Sequence, residues 1–290
     1  MKRWKAVWLA ALLCLAAACS SVGDNSLTLS QSTVKNTVIL PSDTKPVYQI
    51  SPVTEEMTYT AKDGTVLANT SYQVLEMSVS NLDELSEAGV EMARQVVEHF
   101  NQRMDKRLSD ASTYGLELKE MAEDAYASGF FDNAYSNSVH AEATLQGRLY
   151  SIRFSSSSYS GGAHPNSYTD SYLFDLDMGQ YIDPAQVADD PVAFQTGAAE
   201  LFLEKAQEQD EDVRSGYYPE YADVISQWYD GTVLFDSEGM TAVFSPYELG
   251  PYAMGTVELK LSYEEIWDLL GPGGLARLGL VAEENVQQEN

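Results

Sequence analysis

A chain of 290 residues, 44% of them hydrophobic, is long enough to close a core without covalent staples. It carries 44 acidic residues against 17 basic ones, a formal net charge of −27, so long-range repulsion excludes nucleic acid and anionic lipid headgroups as partners. The same field attracts a cationic protein, and it also serves plain solubility.

In chain order, Lys2, Arg3 and Lys5 precede an apolar stretch over 6–18, closed by Leu15-Ala16-Ala17-Ala18-Cys19. Residues 1–19 read as a bacterial lipoprotein signal peptide with Cys19 as the lipidated residue; a plain secretory peptide cut after Ala18 is the alternative. The apolar run of about thirteen residues is shorter than the roughly twenty needed to cross a ~30 Å hydrocarbon core. Acyl chains on the Cys19 thiol and on the new amine would supply the two signals that stable anchoring requires. The expected place is the cell membrane, lipid-anchored and facing the extracytoplasmic side. Cys14 leaves with the leader, so no intramolecular disulfide remains. Loss of Lys2, Arg3 and Lys5 leaves 14 basic residues against 44 acidic, a charge near −30.

Residues 20–45 are rich in Ser, Thr, Asn and Asp and read as a flexible tether. The folded part is expected in two halves, 46–155 and 156–271, followed by an acidic tail over 272–290. Asp63-Gly64 between the strand formers of 57–60 and 72–75 predicts a hairpin. Val90, Ala93, Val97, Phe100, Met104 and Leu108 recur every three to four residues, which predicts a helix over 85–108, and a second, shorter helix is expected over 116–127. Then the period falls to two: Val139, Ala141, Ala143 and Leu145 alternate with polar residues, Gln146-Gly147 turns the chain, and Tyr150, Ile152 and Phe154 alternate again. Tyr172, Phe174 and Leu176 continue an antiparallel meander. Pro191 opens a helix to about residue 207, with Phe194, Ala198, Leu201 and Phe202 inward. Strands over 232–235, 240–244 and 256–261 follow, and Ser262 with Glu265 forms a capping box for a last helix ending at Gly271-Pro272. Hairpins and helices without βαβ alternation indicate an α+β fold, antiparallel sheets with helices packed on one face, in one or two tightly associated subdomains.

Two glycine-punctuated, tyrosine-bearing loops stand out: Tyr159-Ser160-Gly161-Gly162-Ala163-His164-Pro165-Asn166, and the segment from Phe244 through Ser245-Pro246-Tyr247-Glu248-Leu249-Gly250-Pro251-Tyr252 to Gly255. With the strand Ser171 to Leu176, the Met178-Gly179 turn and the run Glu258-Leu259-Lys260-Leu261, they make residues 48–270 resemble the extracellular module of lysozyme-sensing anti-sigma factors of the RsiV type. That module also precedes the catalytic domain of some peptidoglycan deacetylases. The resemblance implies a binding or sensing module with lysozyme as the example ligand. It does not bring the anti-sigma or deacetylase role, because the sequence shows no internal transmembrane helix with a sigma-binding segment, no catalytic domain after Leu270 and no T-F-D-D-G-P motif.

His164 is the residue that catalysis would use, with hydroxyls at Ser160, Ser167 and Tyr168 and a carboxylate at Asp170 nearby in sequence. The strained G-x-S-x-G turn of a nucleophile is absent, and the competing reading is a loop shaped by Gly161 and Gly162 and held by His164. His99, His140 and His164 lie on a helix, a strand and a loop without H-E-x-x-H or a cysteine pair, so no metal and no cofactor is expected. Asp175-Leu176-Asp177-Met178-Gly179 resembles the start of a calcium loop but lacks its later ligands, and reads as a hairpin turn. Loop tyrosines offer contact area at low entropy cost, so Tyr159, His164, Tyr168, Tyr247, Glu248 and Tyr252 form the expected binding surface. The function expected is that of a non-catalytic, lipid-anchored envelope protein that binds or senses a cationic protein such as lysozyme, or peptidoglycan or another cell-wall component. The alternative is a cell-wall hydrolase or deacetylase-related enzyme using His164.

Overall fold

In a computed structural model of the chain, residues 44–281 are described and fall in one compact unit. The leader with Cys19, nearly all of the tether and the end of the tail lie outside the described residues. Strands β1 (Tyr48–Thr60) and β2 (Val66–Val79) pair antiparallel around the Asp63-Gly64 turn, where the Thr65 N–H donates to Asp63 Oδ1 at 3.0 Å.

Helix α1 (Glu87–Ala127) is a single element of 41 residues, about 60 Å long at 1.5 Å per residue, where the sequence predicts two helices. Ser86 caps it by accepting from the Gly89 N–H at 3.1 Å. The polar stretch over 109–115 holds few of the residues that favour a helix, yet it does not break. Ala111 is buried there, Thr113 Oγ1 donates back to the Ser109 carbonyl at 2.9 Å, and Gly115 leaves room for the hydroxyl of the fully buried Tyr72. Packing against the sheet overrides local propensity.

The chain then enters β3 (Tyr135–Gln146), which pairs with β2 in parallel, from Ala68↔Tyr135 to Gln73↔His140. A β2–α1–β3 crossover therefore exists where no βαβ unit is expected, because α1 carries the chain back along the sheet before β3 begins. The rest is antiparallel: β4 (Leu149–Tyr159), β5 (Asn166–Asp175) and the short β6 (Gln180–Ile182) complete a six-stranded sheet in the order β1-β2-β3-β4-β5-β6. The α+β assignment holds, with helices packed against sheets.

One face of this sheet meets α1. Phe100, Met104 and Val96 close on Tyr72, Val74, Val139, Ile152, Phe154 and Phe174. Full burial of each large side chain contributes roughly 1.5–3 kcal/mol. The opposite face places Leu149 and Leu173 in a second core with the C-terminal half. That half comprises α2 (Pro191–Glu208), capped by Asp190, the short helices α3 (Glu211–Arg214) and α4 (Tyr221–Ser226), and a sheet of β7 (Thr232–Phe235), β8 (Gly239–Phe244) and β9 (Val257–Ser262). Helix α5 (Tyr263–Arg277) begins at the predicted capping box of Ser262 and Glu265. Its first stretch stops at the expected Gly271-Pro272, Gly271 standing outside the helical region at φ 68 and ψ 169, and a second helical stretch follows in which Leu275 and Ala276, with Leu278 after it, are buried.

Hydroxyls join the two sheets. The outer edge of β7 donates its Phe235 N–H to Ser151 Oγ at 2.8 Å and its Val233 N–H to Ser171 Oγ at 2.9 Å. Thr232 Oγ1 donates to the Thr169 carbonyl at 2.7 Å, and the Thr169 N–H donates to Ser245 Oγ at 2.8 Å. Backbone groups at two strand edges are thus satisfied without a shared ladder. The junction also fixes both loops singled out in the sequence, since Ser245 begins one and β5 follows the other. Among the described residues, no helix is long and apolar enough to cross a membrane.

Candidate binding surface formed by two loops

The turn between β4 and β5 depends on Gly161 and Gly162, whose φ values of 96 and 103 are ones that L side chains rarely adopt. They swing the chain so that His164 projects from the turn. Its Nδ1 donates to the Pro165 carbonyl at 2.9 Å, which in the neutral ring leaves the lone pair on Nε2. Tyr159 Oη donates to the Gly162 carbonyl at 3.2 Å, and its ring sits edge-on to Tyr135. Tyr159 therefore braces the base of the loop.

The second loop leaves β8 at Ser245. Glu248 turns back on it: its Oε2 accepts from the Ser245 N–H at 2.5 Å, and its own N–H donates to the Ser245 carbonyl at 3.0 Å. Burial of the Glu248 carboxyl raises its pKa above the ordinary glutamate value, opposed by the Ser245 N–H. Leu249 is buried and anchors the loop, while Tyr247, between Ser245 and Leu249, is 53% exposed. The backbone of Tyr247 lies at φ 77, the only non-glycine residue with positive φ among those described.

The two loops meet through their rings. His164 stacks on Tyr252 with centroids 3.8 Å apart and planes 13° from parallel, and Tyr252 continues to Tyr247 at 5.7 Å and 37°. The result is a half-open row of three rings, His164, Tyr252 and Tyr247, contributed by loops far apart in sequence. Of the residues expected to form one surface, the structure unites these three, and the exposed Glu248 beside Tyr247 braces their loop through Ser245. Tyr168 has no ring contact with the row; it lines a separate cavity of about 300 Å³ with Arg107, Tyr114, Asn137 and Ser158.

His164 hydrogen-bonds to no hydroxyl and no carboxylate of the described residues, and its ring face is occupied by Tyr252. Asp175 Oδ1 accepts from the Asp177 and Met178 N–H groups at 2.9 and 3.0 Å and its Oδ2 takes Arg277 Nε at 2.7 Å, so this turn spends its carboxylate on the fold. No group of three or more metal-ligating side chains occurs among the described residues.

Sequence reasoning passed over the arginines of α1. Arg107 pairs with Asp170 at 2.6 Å over the Phe154 ring, and burial raises the Asp170 carboxyl against the pull of Arg107. Arg103, one turn earlier, lies over Tyr172. Their spacing of four residues on one helix face was the available signal, but which rings they would meet is not encoded locally.

Residues 194–264 match the family model described as "Protein of unknown function (DUF3298)". No curated protein matches the chain. Among solved structures, the fold is similar to a DUF3298 family member from Bacteroides fragilis, with a TM-score of 0.55 and 16% identity over 81% of this chain and 98% of that one. It is also similar to a DUF3298 family protein from Pseudomonas aeruginosa, with a TM-score of 0.50 and 14% identity over 79% and 96%. At these identities the likeness concerns the fold alone.

Proposed function

We propose that this protein is a lipid-anchored binding or sensor module of the cell envelope, held through Cys19 on the extracytoplasmic side, whose ligand is a cationic protein of the lysozyme type. One observation carries the reading: two loops far apart in sequence converge on the row His164, Tyr252 and Tyr247, with Tyr247 held exposed in an uncommon backbone conformation. Aromatic anchors with polar tips suit a protein interface, and a chain of net charge −27 steers a cation toward it.

The two contributions separate in a kinetic experiment on the purified chain with lysozyme. Raising salt from about 0.05 to about 0.5 M shortens the Debye length from roughly 14 to roughly 4 Å and should lower the association rate strongly. Tyr247→Ala combined with Tyr252→Ala should instead raise the dissociation rate, by about tenfold or more, with the association rate little changed. Binding that vanishes with salt yet ignores both tyrosines would reduce the interaction to nonspecific charge attraction. No binding at low salt would remove lysozyme as the ligand.

A further inference from the structure

A cavity of about 400 Å³ opens where the six-stranded sheet stops short. β6 pairs with β5 only from Leu173↔Ile182 to Asp175↔Gln180; from Tyr172 toward its start β5 has no ladder partner on that edge and meets β7 through the Ser171 and Thr232 hydroxyls. The opening is lined by Ser171, Tyr172, Tyr181, Asp183, Tyr229 and Asp230, with Arg103 reaching in from α1. It shares no residue with the His164 row.

The polar groups of this cleft are not spent on each other. The Arg103 guanidinium lies 4.4 Å from the centroid of the Tyr172 ring and 5.5 Å from that of Tyr181, which fixes its plane while leaving its N–H edge free. Among the described residues it makes no ion pair, and the carboxylates of Asp183 and Asp230 make none either, although all three line one cavity. The Tyr229 hydroxyl makes no hydrogen bond among the described residues, whereas that of Tyr181 is committed to the Phe100 carbonyl at 3.0 Å.

Each simple ligand class meets an obstacle here. A cation finds Arg103 already over the Tyr172 and Tyr181 rings, and an anion finds two carboxylates and the repulsion of a chain at −27. A purely apolar ligand would strip water from four polar side chains without replacing their hydrogen bonds. A neutral polyhydroxylated ring meets none of these costs: its hydroxyls donate to Asp183 and Asp230, accept from Arg103 and exchange hydrogen bonds with Tyr229, and its C–H surface lies along the Tyr229 ring, which Arg103 does not cover. We infer that this cleft is a saccharide-binding site, taking one or two neutral sugar rings between Arg103, Tyr229 and Asp230.

Titration calorimetry of the full chain tests it, with chitotriose as the neutral sugar and diglycine as a zwitterion that would satisfy the same charges without hydroxyls. Chitotriose is expected to bind with a Kd of roughly 0.1–1 mM, and Arg103→Ala should weaken it about tenfold or more. Tyr229→Phe, which removes one oxygen and nothing of the ring, should weaken it by a smaller but measurable factor at an unchanged melting temperature, so the test survives if Arg103→Ala folds poorly. Tyr247→Ala should leave chitotriose affinity intact while it impairs lysozyme binding, which keeps this site and the loop surface independently testable. Absence of binding at about 20 mM chitotriose, an affinity indifferent to both Arg103→Ala and Tyr229→Phe, loss of sugar binding in Tyr247→Ala, or tighter binding of diglycine at the same cleft would each overturn the assignment.

Discussion

Tyr247 is an exposed residue held in a backbone conformation that a side chain with a Cβ seldom adopts. Its φ of 77 costs on the order of 1 kcal/mol for a side chain with a Cβ, a cost that glycine would avoid while losing roughly 0.5–1 kcal/mol of unfolded-chain entropy. The two effects nearly offset, so Tyr247→Gly should leave the melting temperature close to that of the parent chain. The ring that ends the row on Tyr252 is nevertheless gone, and dissociation of lysozyme should quicken several-fold or more. A large drop in melting temperature with unaltered dissociation would show that the ring serves the fold and not a partner. The neighbouring Glu248 is exposed as well, and its Oε2 accepts from the Ser245 N–H, so it also braces the loop.

At the level of elements, α1 is where local and tertiary preferences conflict most. Gly115 sits inside a helix, where replacing it with alanine should gain roughly 1 kcal/mol from propensity. The structure reverses that sign. A Cβ at position 115 runs into the Tyr72 hydroxyl and comes within 3.2 Å of Thr70 Cγ2, and Tyr72 is fully buried with its hydroxyl accepting from Asn137 Nδ2 at 3.1 Å. Overpacking of this kind costs typically ~1–3 kcal/mol, so after the propensity gain Gly115→Ala should destabilise the chain by up to about 2 kcal/mol net in denaturant unfolding. A stabilised variant would mean that α1 does not press on β2 at this point. The same contact explains why the polar stretch over 109–115 stays helical although its own residues suggest a break. Strand boundaries are more legible because alternation and turn chemistry coincide: Asp63-Gly64, Gln146-Gly147 and Glu238-Gly239 all mark observed hairpins.

Over the whole molecule, tyrosine is spent largely on the two cores and their junction. Burial raises the phenol pKa values of Tyr48, Tyr72, Tyr150, Tyr181, Tyr217 and Tyr263 above the ordinary value near 10. In the unfolded chain these groups lose their protons near pH 10, whereas in the fold they keep them, so the unfolded state binds fewer protons above that point. Their contribution to stability is therefore complete below about pH 10 and falls as pH rises through the higher folded values. Ultraviolet titration should show the phenolates of these six appearing only above about pH 10 and together with loss of circular dichroism. Ionisation of these six near pH 10 with the fold intact would contradict their burial. Because Ser151, Ser171, Thr232 and Ser245 tie β7 and β8 to the large sheet, both sheets should be lost in one transition.

What the sequence determined by itself are features set by near neighbours along the chain. These are the period-two strands, the period-3.6 faces of α1 and α2, the Ser262–Glu265 capping box, the acidic charge and the two tyrosine-bearing loops, since alternation, caps and turns act over a few residues. Only the tertiary structure decided that α1 runs unbroken past Gly115, that β3 lies parallel to β2, that a second helical stretch follows Gly271, and that Arg103 lies over Tyr172. It also decided which expected contact residues meet: His164 finds Tyr252 and Tyr247, while Tyr168 faces Arg107 in another cavity. Each of these depends on groups far apart in the chain arriving at one place. Their free energy comes from burial and close packing between elements, and no pattern within a window of a few residues reports it.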